Sequence, residues 1–268
     1  MGVAHLEKAR IQQDNEFYTQ QSDVYKALSF LTDHFKNQKV ILPADNETSA
    51  FWIYFVNNYH QLGLKHLVAF SIHPVPTKYE YDGNNVVKTN LQNYCILNAL
   101  DNSNYQDYIY VTNPPFSSLK IQLKKLYDNQ LKFVFVIPIS ASGYKYTCKG
   151  FFEQKYWLLP FRIKNFIRPD GSLKANSCFW LTNLVVLNNR PVKRIKGEDL
   201  AWIDPKTLIA YYDSSYYAFN SNYFMVGAPV SALQYYDNDV WKVWKCVSPD
   251  NDSFKRVVFY KKWHIIDT

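Results

Sequence analysis

The chain has 268 residues, of which 47% are hydrophobic and 18% aromatic, a composition that excludes disordered, collagen-like and coiled-coil proteins. Its 30 lysines and arginines outnumber its 23 aspartates and glutamates, and the formal net charge of +7 indicates a polyanionic partner. At this length we expect one large domain, or one domain with a modest appendage.

The first predicted element is a helix from Ser22 to Asn37, with Ser22 as its N-cap. A short buried strand follows at 39–43. An aromatic-rich helix from Ser49 to Leu62 comes next, closed by Gly63. A second strand at 66–72 completes a strand–helix–strand unit, which is typical of a parallel sheet with right-handed crossovers. The positions of the first helix expected to face the core are Val24, Leu28, Leu31 and Phe35.

Three further strands are predicted at 107–112, 132–137 and 179–187, with a helix at 117–128 between the first two. This pattern predicts an α/β fold whose functional residues lie at the carboxyl ends of the strands. From about Pro191 the chain changes to short, tyrosine-rich segments. We therefore expect a main domain over 1–190 and a small, irregular region over 191–268.

The cysteines and the amino-terminal segment predict an unmodified cytoplasmic protein. Cys95, Cys148, Cys178 and Cys246 form no CxxC pair and no pairing with histidine, so we expect reduced thiols, no disulfide and no metal site. The sequence shows no apolar leader and no stretch as long as a membrane span, so we expect no contact with a membrane.

The excess positive charge is concentrated between Ser117 and Lys174, where eleven basic residues face three acidic ones. Eight aromatic residues between Tyr144 and Phe166 alternate with the cations of that stretch. Cations neutralise phosphates and rings stack on bases, so the window fits a nucleic-acid channel, although a solvated face over an aromatic core explains it equally well. The cations selected as phosphate contacts are Lys120, Lys124, Lys145, Lys149 and Arg162.

The most specific local signal is Asn113-Pro114-Pro115-Phe116, directly after the strand that ends at Thr112. Two prolines stop the strand ladder and fix the backbone, so Asn113 is held at the strand tip. One interpretation is an ordinary Asn-Pro turn. The other is catalytic: the Asn113 oxygen and the Pro114 carbonyl accept the two N–H bonds of an exocyclic amino group and free its lone pair for attack on a methyl group. Phe116 offers a flat face to a base turned out of the duplex.

This tetrapeptide resembles motif IV of the amino-group DNA methyltransferases, (D/N/S)PP(Y/F/W). Residues 16–20 resemble their motif X, and Asp45 falls where their motif I places an acidic residue. The order of the motifs is that of the gamma class. Together with 178–184 and 223–230, these segments are similar to the EcoRI-type adenine-specific modification methyltransferases over roughly residues 14 to 245.

The resemblance implies a class I S-adenosylmethionine-dependent fold, a Rossmann-like sheet with helices on both faces, and a target-recognition region at 191–268. It implies transfer of a methyl group from S-adenosylmethionine to adenine in a specific duplex sequence, giving N6-methyladenine by base flipping. Its implied catalytic residues are Asn113, Pro114 and Phe116, and Trp180 is placed near the flipped base. The implied cofactor contacts are Phe17, Tyr18, Thr19 and Asp45, with either Asn98 or Asp101 for the adenine.

The implied partner is double-stranded DNA, bound by a monomer of bacterial, plasmid or phage origin, with or without a cognate restriction enzyme. Two departures from the family pattern stand out: the motif I turn has no glycine, and the strand ending near Ile72 has no acidic residue for the ribose hydroxyls. Two alternatives therefore stay open. One is a methyltransferase of RNA or another amino substrate, and the other is a catalytically silent DNA-binding relative.

Overall fold

The computed structural model describes residues 18–184, except 73 and 154, together with five short strands between 202 and 261. The chain divides into two compact units. The first contains 1–138 and 161–184, and the second contains 139–160 and 185–268. Within the described ranges no helix has the length and apolar character needed to cross a lipid bilayer.

A nine-stranded mixed sheet organises the first unit, in the order β1-β8-β9-β7-β6-β2-β3-β4-β5. The four central strands β7, β6, β2 and β3 are parallel, and the strands flanking them, β9 and β4, are antiparallel. The strands are β1 Tyr18–Thr19, β2 Lys39–Leu42, β3 His66–Ser71, β4 Thr77–Tyr81, β5 Val86–Asn90, β6 Tyr108–Thr112, β7 Lys132–Pro138, β8 Trp157–Ile167 and β9 Leu173–Thr182.

Helices cover both faces of this sheet. Register and alternation turn Tyr110 and Trp180 toward opposite faces. The Tyr110 hydroxyl donates to the Ala99 carbonyl of one helix, and the Trp180 ring contacts Phe51 of another. The helices of the first unit are α1 Gln21–Phe30, α2 Thr32–Phe35, α3 Ala50–Asn57, α4 Tyr59–Leu62, α5 Ile96–Asp101 and α6 Leu119–Asp128.

The predicted parallel unit is confirmed. β2, α3 with α4, and β3 follow one another, and β2 pairs with β3 in parallel from Lys39↔His66 to Leu42↔Ala69. The Ser49 side chain caps α3 by accepting from the Trp52 N–H at 3.1 Å. Gly63 ends α4 in the left-handed conformation, with φ of 58°. The one difference is a break at Asn58, which splits the predicted helix in two.

The first predicted helix needs correction at its start and in its middle. It begins at Gln21 after an extended Gln20, so Ser22 lies inside the helix and is not its N-cap. It breaks at Leu31, where Thr32 turns its hydroxyl back to the Ser29 carbonyl at 2.7 Å. The core-facing positions are confirmed, because Val24, Leu28, Leu31 and Phe35 are all buried.

Two hairpins were not predicted, and one predicted strand was misplaced. β4 and β5 pair around an Asp82-Gly83 turn, in which the Asp82 carboxylate accepts from two backbone N–H groups. β8 and β9 are hydrogen-bonded neighbours on either side of a turn at Asp170-Gly171. The strand predicted at 179–187 therefore begins earlier, at Leu173, and ends at Thr182. Both turn glycines have positive φ, of 103° and 81°.

The described part of the second unit contains α7 (Lys145–Phe152) and a five-stranded sheet. The Tyr156 ring lies against Gly150, where a Cβ atom would meet the ring at 2.2 Å. Where the chain beyond 191 is described, it forms regular strands that pair with one another, which the expectation of an irregular region did not foresee. They are β10 Trp202–Ile203, β11 Ala210–Tyr211, β12 Met225–Pro229, β13 Trp241–Val247 and β14 Arg256–Lys261.

Candidate active site

The carboxyl ends of the parallel strands bring two predicted site residues to one edge of the sheet. β2 and β6 are adjacent and parallel, so the turn after Leu42 and the segment after Thr112 leave the sheet side by side. Asp45 lies in the first of these and Asn113 opens the second. Because open α/β sheets bind ligands at this edge, the topology favours a shared site for the two residues.

The turn from Pro43 to Ser49 is ordered by side chains in place of glycines. The Asn46 side chain accepts from the backbone N–H of Thr48 at 2.9 Å and from its hydroxyl at 2.7 Å. The backbone N–H of Asp45 donates to the Phe70 carbonyl of β3 at 3.0 Å. Lys88 of β5 forms an ion pair with Glu47. These bonds explain how a motif I turn without glycine keeps a fixed shape.

Asp45 is joined directly to the strand that carries Asn113. The Thr112 hydroxyl is fully buried and donates to Asp45 Oδ2 at 2.8 Å. Burial raises the pKa of the Asp45 carboxyl to about 7, although hydrogen bonds from Thr112 and Ser49 partly oppose that rise. A carboxyl group in this condition ionises readily when a cation arrives beside it, because the cation replaces the lost hydration.

Asn113 and the two prolines form a rigid tip on β6. Pro114 is buried, and a short 3-10 turn from Phe116 to Ser118 leads directly into α6. The Asn113 residue is half-buried, and its Oδ1 atom is shielded from solvent. Shielding strengthens any hydrogen bond that this oxygen accepts from a bound group, because water does not compete for it.

A cavity of about 270 Å³ lies next to this edge, on the α5 face of β3. Phe70 and Tyr94 form part of its wall and stack with ring centroids 4.6 Å apart and planes 3° apart. The Tyr94 hydroxyl donates to the Pro43 carbonyl at 2.7 Å, which ties the cavity to the turn that holds Asp45. Burial raises the pKa of Tyr94, so the phenol stays protonated and keeps this bond.

The two residues proposed for the cofactor adenine differ in their surroundings. Asn98 lines the cavity. Asp101, one turn further along α5, forms an ion pair with Lys125 and accepts from the Asn129 amide at 3.3 Å. The Lys125 ammonium lowers the pKa of Asp101 and keeps it ionised. The structure therefore gives Asn98 access to the cavity and engages Asp101 in linking α5 to α6.

The motif X residues lie elsewhere in the sheet. Tyr18 and Thr19 form β1, which pairs with Phe166 and Ile167 of β8, four strands away from β6. Phe17 lies outside the described residues. A cofactor role for this segment stays a prediction.

The family model described as "Adenine-specific methyltransferase EcoRI" matches residues 5–107 of this chain. The chain is also 28% identical over 223 residues to the Type II methyltransferase M.EcoRI of Escherichia coli, an alignment that covers 68% of each protein. Both matches support the EcoRI-type adenine-specific methyltransferases as the family that this chain resembles. The matched segment of the family model contains Asp45 and Asn98 and ends before Asn113.

Two mycoplasma proteins are similar to this methyltransferase. It is 27% identical over 228 residues to the Type II methyltransferase M.MpnI of Mycoplasma pneumoniae, which covers 76% of this chain and 68% of that protein. It is 28% identical over 208 residues to the Type II methyltransferase M.MgeORF184P of Mycoplasma genitalium, covering 74% and 63%. No solved structure matches the chain significantly.

The predicted DNA contacts of the methyltransferase have unequal surroundings. Lys124 pairs with Asp128, and Lys149 lies 3.9 Å from the Glu153 carboxylate. The Arg162 guanidinium donates to the Ser177 hydroxyl at 2.8 Å and lies over the Phe179 ring, both of which are uncharged. Lys120 and Lys145 are exposed. The Ser177 hydroxyl and the Phe179 ring therefore leave the charge of Arg162 less neutralised than that of Lys124, which has the Asp128 carboxylate beside it.

Trp180 lies in the core. It is fully buried, and its ring packs edge-on against Phe51 of α3 with centroids 5.9 Å apart. Phe179 is fully buried as well. In this structure Trp180 therefore contributes to packing between sheet and helix and presents no surface to DNA, in contrast to its placement near a flipped base.

Sequence reasoning missed three residues of this site: Thr112, Tyr94 and Gln122 of α6. Thr112 and Tyr94 contact the turn after β2 from positions 67 and 51 residues away in sequence, respectively. Gln122 gave a signal, because it is a polar residue on the apolar face of α6, where Leu119, Leu123 and Leu126 are buried with it. Within the described residues, histidine, cysteine and carboxylate side chains form no cluster suited to a metal ion.

Proposed function

We propose that this adenine-specific methyltransferase transfers the methyl group of S-adenosylmethionine to the N6 amino group of an adenine flipped out of double-stranded DNA. The observation that carries the proposal is the Thr112–Asp45 hydrogen bond, which fixes the catalytic segment beside the turn for the cofactor. The strand order supports a class I fold, since four parallel strands are flanked beyond β7 by the antiparallel β9.

The residues at the sheet edge fit S-adenosylmethionine. When bound, the cofactor supplies a methyl group on a positively charged sulfur, which departs as a neutral thioether. A partly buried carboxyl group with a raised pKa, as in Asp45, suits the positive charge of this ligand. The cavity of Phe70, Tyr94 and Asn98 combines aromatic walls with an amide, which suits a purine. Phe17, Tyr18 and Thr19 are assigned to the cofactor on the family resemblance alone.

The catalytic segment acts on the amino group through two acceptors. The Asn113 Oδ1 atom and the Pro114 carbonyl each accept one N–H bond of the amino group, which draws its lone pair out of conjugation with the ring. Phe116 stacks on the extrahelical base. Once the nitrogen carries the methyl group it is positively charged and acidic, so one proton leaves without a dedicated general base.

DNA binding is assigned to basic residues of the segment 117–174 and to the region after residue 191. Arg162, Lys120 and Lys145 are the leading phosphate contacts, with Lys124 and Lys149 secondary because carboxylates lie close to both. We place target recognition in 191–268 and catalysis in 1–190. Action as a monomer, a cytoplasmic location and pairing with a restriction enzyme belong to the same proposal.

The decisive experiment measures transfer of labelled methyl groups to unmethylated genomic DNA, followed by analysis of the nucleosides. N6-methyladenine in the DNA, and none in an equal mass of RNA, is the expected result. Methylated RNA would favour the amino-methyltransferase alternative. DNA binding without methyl transfer to any substrate would support a silent relative.

Replacing Asn98 by alanine should weaken S-adenosylmethionine binding by about tenfold, because the cavity then loses a polar contact to the ligand. Asp101→Ala is the matched control on the same helix, and its cofactor affinity should stay within about twofold of the unsubstituted protein. Isothermal titration calorimetry measures both. A larger loss of affinity in Asp101→Ala than in Asn98→Ala would reverse the assignment.

Replacing Arg162 by glutamine should reduce the salt dependence of duplex binding. Loss of one phosphate contact lowers the slope of log K against log salt by about 0.9. Lys36→Gln is the control, because Lys36 already pairs with Asp33 at 2.7 Å. Binding is measured by fluorescence anisotropy at a series of salt concentrations. Equal slopes for the two variants would remove Arg162 from the phosphate contacts.

A further inference from the structure

A buried glutamine on α6 contacts the end of the catalytic segment. Gln122 has no exposed surface, and it lies on the helix face that otherwise buries Leu119, Leu123 and Leu126. A buried amide is unfavourable unless its polar atoms form hydrogen bonds, and in Gln122 the Nε2 group forms them while the buried Oε1 atom has no partner among the described residues.

The Gln122 amide is directed at the Pro115 carbonyl. Its Nε2 group donates to the Ser118 hydroxyl at 2.8 Å and to the Pro115 carbonyl at 3.4 Å. The Ser118 hydroxyl donates in turn to the same carbonyl at 3.3 Å. A carbonyl only accepts, so the NH₂ side of the amide must face it. The result is a short chain of donors that ends on the catalytic tetrapeptide.

The tetrapeptide needs such a contact because of its own composition. Pro114 and Pro115 have no N–H group, so the segment has few donors with which to fix itself. At its start, Thr112 is held by Asp45. At its end, the carbonyl of Pro115 receives Gln122 and Ser118, including the Ser118 backbone N–H at 3.2 Å. Side chains therefore hold the segment on both sides of Asn113.

We propose that Gln122 is a positioning residue for methyl transfer, which acts through Ser118 and Pro115 to hold the acceptor atoms of Asn113 and Pro114. This role rests on the proposed function of the segment. Gln122 has no exposed surface with which to contact DNA or cofactor, so its effect passes through its neighbours. Small displacements of reacting groups cost up to about 100-fold in rate, so a contact of this kind is expected to affect turnover more than binding.

The experiment compares Gln122→Leu with Gln106→Leu, a control at an exposed glutamine that makes the same chemical change. In Gln122→Leu, kcat for methyl transfer should fall by about 30-fold, whereas KM for S-adenosylmethionine should change by no more than about twofold. Gln106→Leu should match the unsubstituted protein in both. Circular dichroism and thermal unfolding establish that each variant is folded.

The variant Gln122→Glu supplies a second test through its pH profile. Burial raises the pKa of the new carboxyl, and only the protonated form donates to the Ser118–Pro115 chain. Its activity relative to the unsubstituted protein should therefore be highest at about pH 6 and should fall as the pH rises. The same ratio for Gln122→Leu should not vary with pH. Thermal unfolding of Gln122→Glu at each pH is the control, because a merely structural role would lower activity only where ionisation of the buried carboxyl unfolds the protein.

Hydrogen exchange separates failure of this inference from failure of the proposed function. In Gln122→Leu, the amides of 116–120 should exchange faster, with unchanged exchange in β2 and β3. Suppose that the amides exchange faster in Gln122→Leu but the unsubstituted protein transfers no methyl group. The proposed enzymatic activity is then contradicted, whereas the inference that Gln122 holds this segment is retained. Unchanged exchange and unchanged kcat in a folded Gln122→Leu variant would overturn the inference.

Discussion

Replacing Asn113 by alanine should lower kcat for methyl transfer by about 10³-fold, since the amino group of the target adenine then loses one of its two acceptors. Asn113→Asp keeps an oxygen at the same position and should retain more activity than Asn113→Ala. The affinity for S-adenosylmethionine should change by less than about threefold in both, because the side chain acts on the base. The measurement is single-turnover transfer of labelled methyl groups to genomic DNA.

Asn84→Ala is the matched control for this prediction. Asn84 is exposed in the turn between β4 and β5, where only its backbone N–H takes part in a described hydrogen bond. Its activity should equal that of the unsubstituted protein. If Asn113→Ala is folded, binds cofactor and still transfers methyl groups at the normal rate, the catalytic interpretation of the tetrapeptide is wrong and the ordinary Asn-Pro turn is correct.

Replacing Asp45 by asparagine should have opposite effects on binding and on stability. At pH 8 the variant should bind S-adenosylmethionine about 100-fold more weakly, because it no longer offers a negative charge to the cationic ligand. In the unsubstituted protein the affinity should decline as the pH falls below about 7, where Asp45 takes up a proton. Titration calorimetry at pH 6 and pH 8 measures both effects.

The stability effect follows from the direction of the pKa shift. The folded state holds the Asp45 proton with a pKa of about 7, against 3.8 as the ordinary value, so the folded state binds more protons between these pH values. Stability without ligand therefore falls as the pH rises through this range. Asp45→Asn removes that penalty and should raise the free energy of unfolding at pH 8 by about 1 to 3 kcal/mol. Near pH 4 the difference should vanish.

Asp107→Asn is the control at the opposite end of the same strands. The ion pair with Lys39 lowers the pKa of Asp107, so loss of this pair in Asp107→Asn should slightly reduce the free energy of unfolding at pH 8. Cofactor affinity should not change, because Asp107 lies at the other end of the strands. Urea denaturation at pH 5 and pH 8 gives the comparison. A loss of stability in Asp45→Asn at pH 8 would contradict the conclusion that burial of the ionised Asp45 carboxylate destabilises the folded state.

The sequence predicted the parallel core because its signals are local. Short apolar runs, a serine cap at Ser49 and a glycine at position 63 are properties of neighbouring residues, and β2, α3, α4 and β3 form from them as expected. The signal for a strand end at Asn113 is also local, because two consecutive prolines end β6 whatever its position in the sheet. These features depend on few contacts between distant parts of the chain.

The two missed hairpins also had local signals. Asp82-Gly83 and Asp170-Gly171 are Asp-Gly pairs between strand-like segments, and such pairs favour tight turns because glycine takes positive φ readily. The break at Leu31 had a weaker signal. The helical spacing of apolar residues continues across this break. Leu31 and Phe35 are both buried, so one long helix and two short helices fit the same apolar pattern.

The amino-acid sequence by itself was sufficient to predict the family resemblance, the parallel core and the position of Asn113 at a strand tip. Only the tertiary structure decided how these parts act together. The pKa of Asp45 depends on burial and on Thr112, which is 67 residues away. Asn98 differs from Asp101 only through the neighbours that packing supplies, and Trp180 is buried because α3 covers it. The burial, the pKa and the hydrogen-bond partners of a residue depend on residues that are distant in sequence and are brought close by packing. They cannot be inferred from the residue and its sequence neighbours alone.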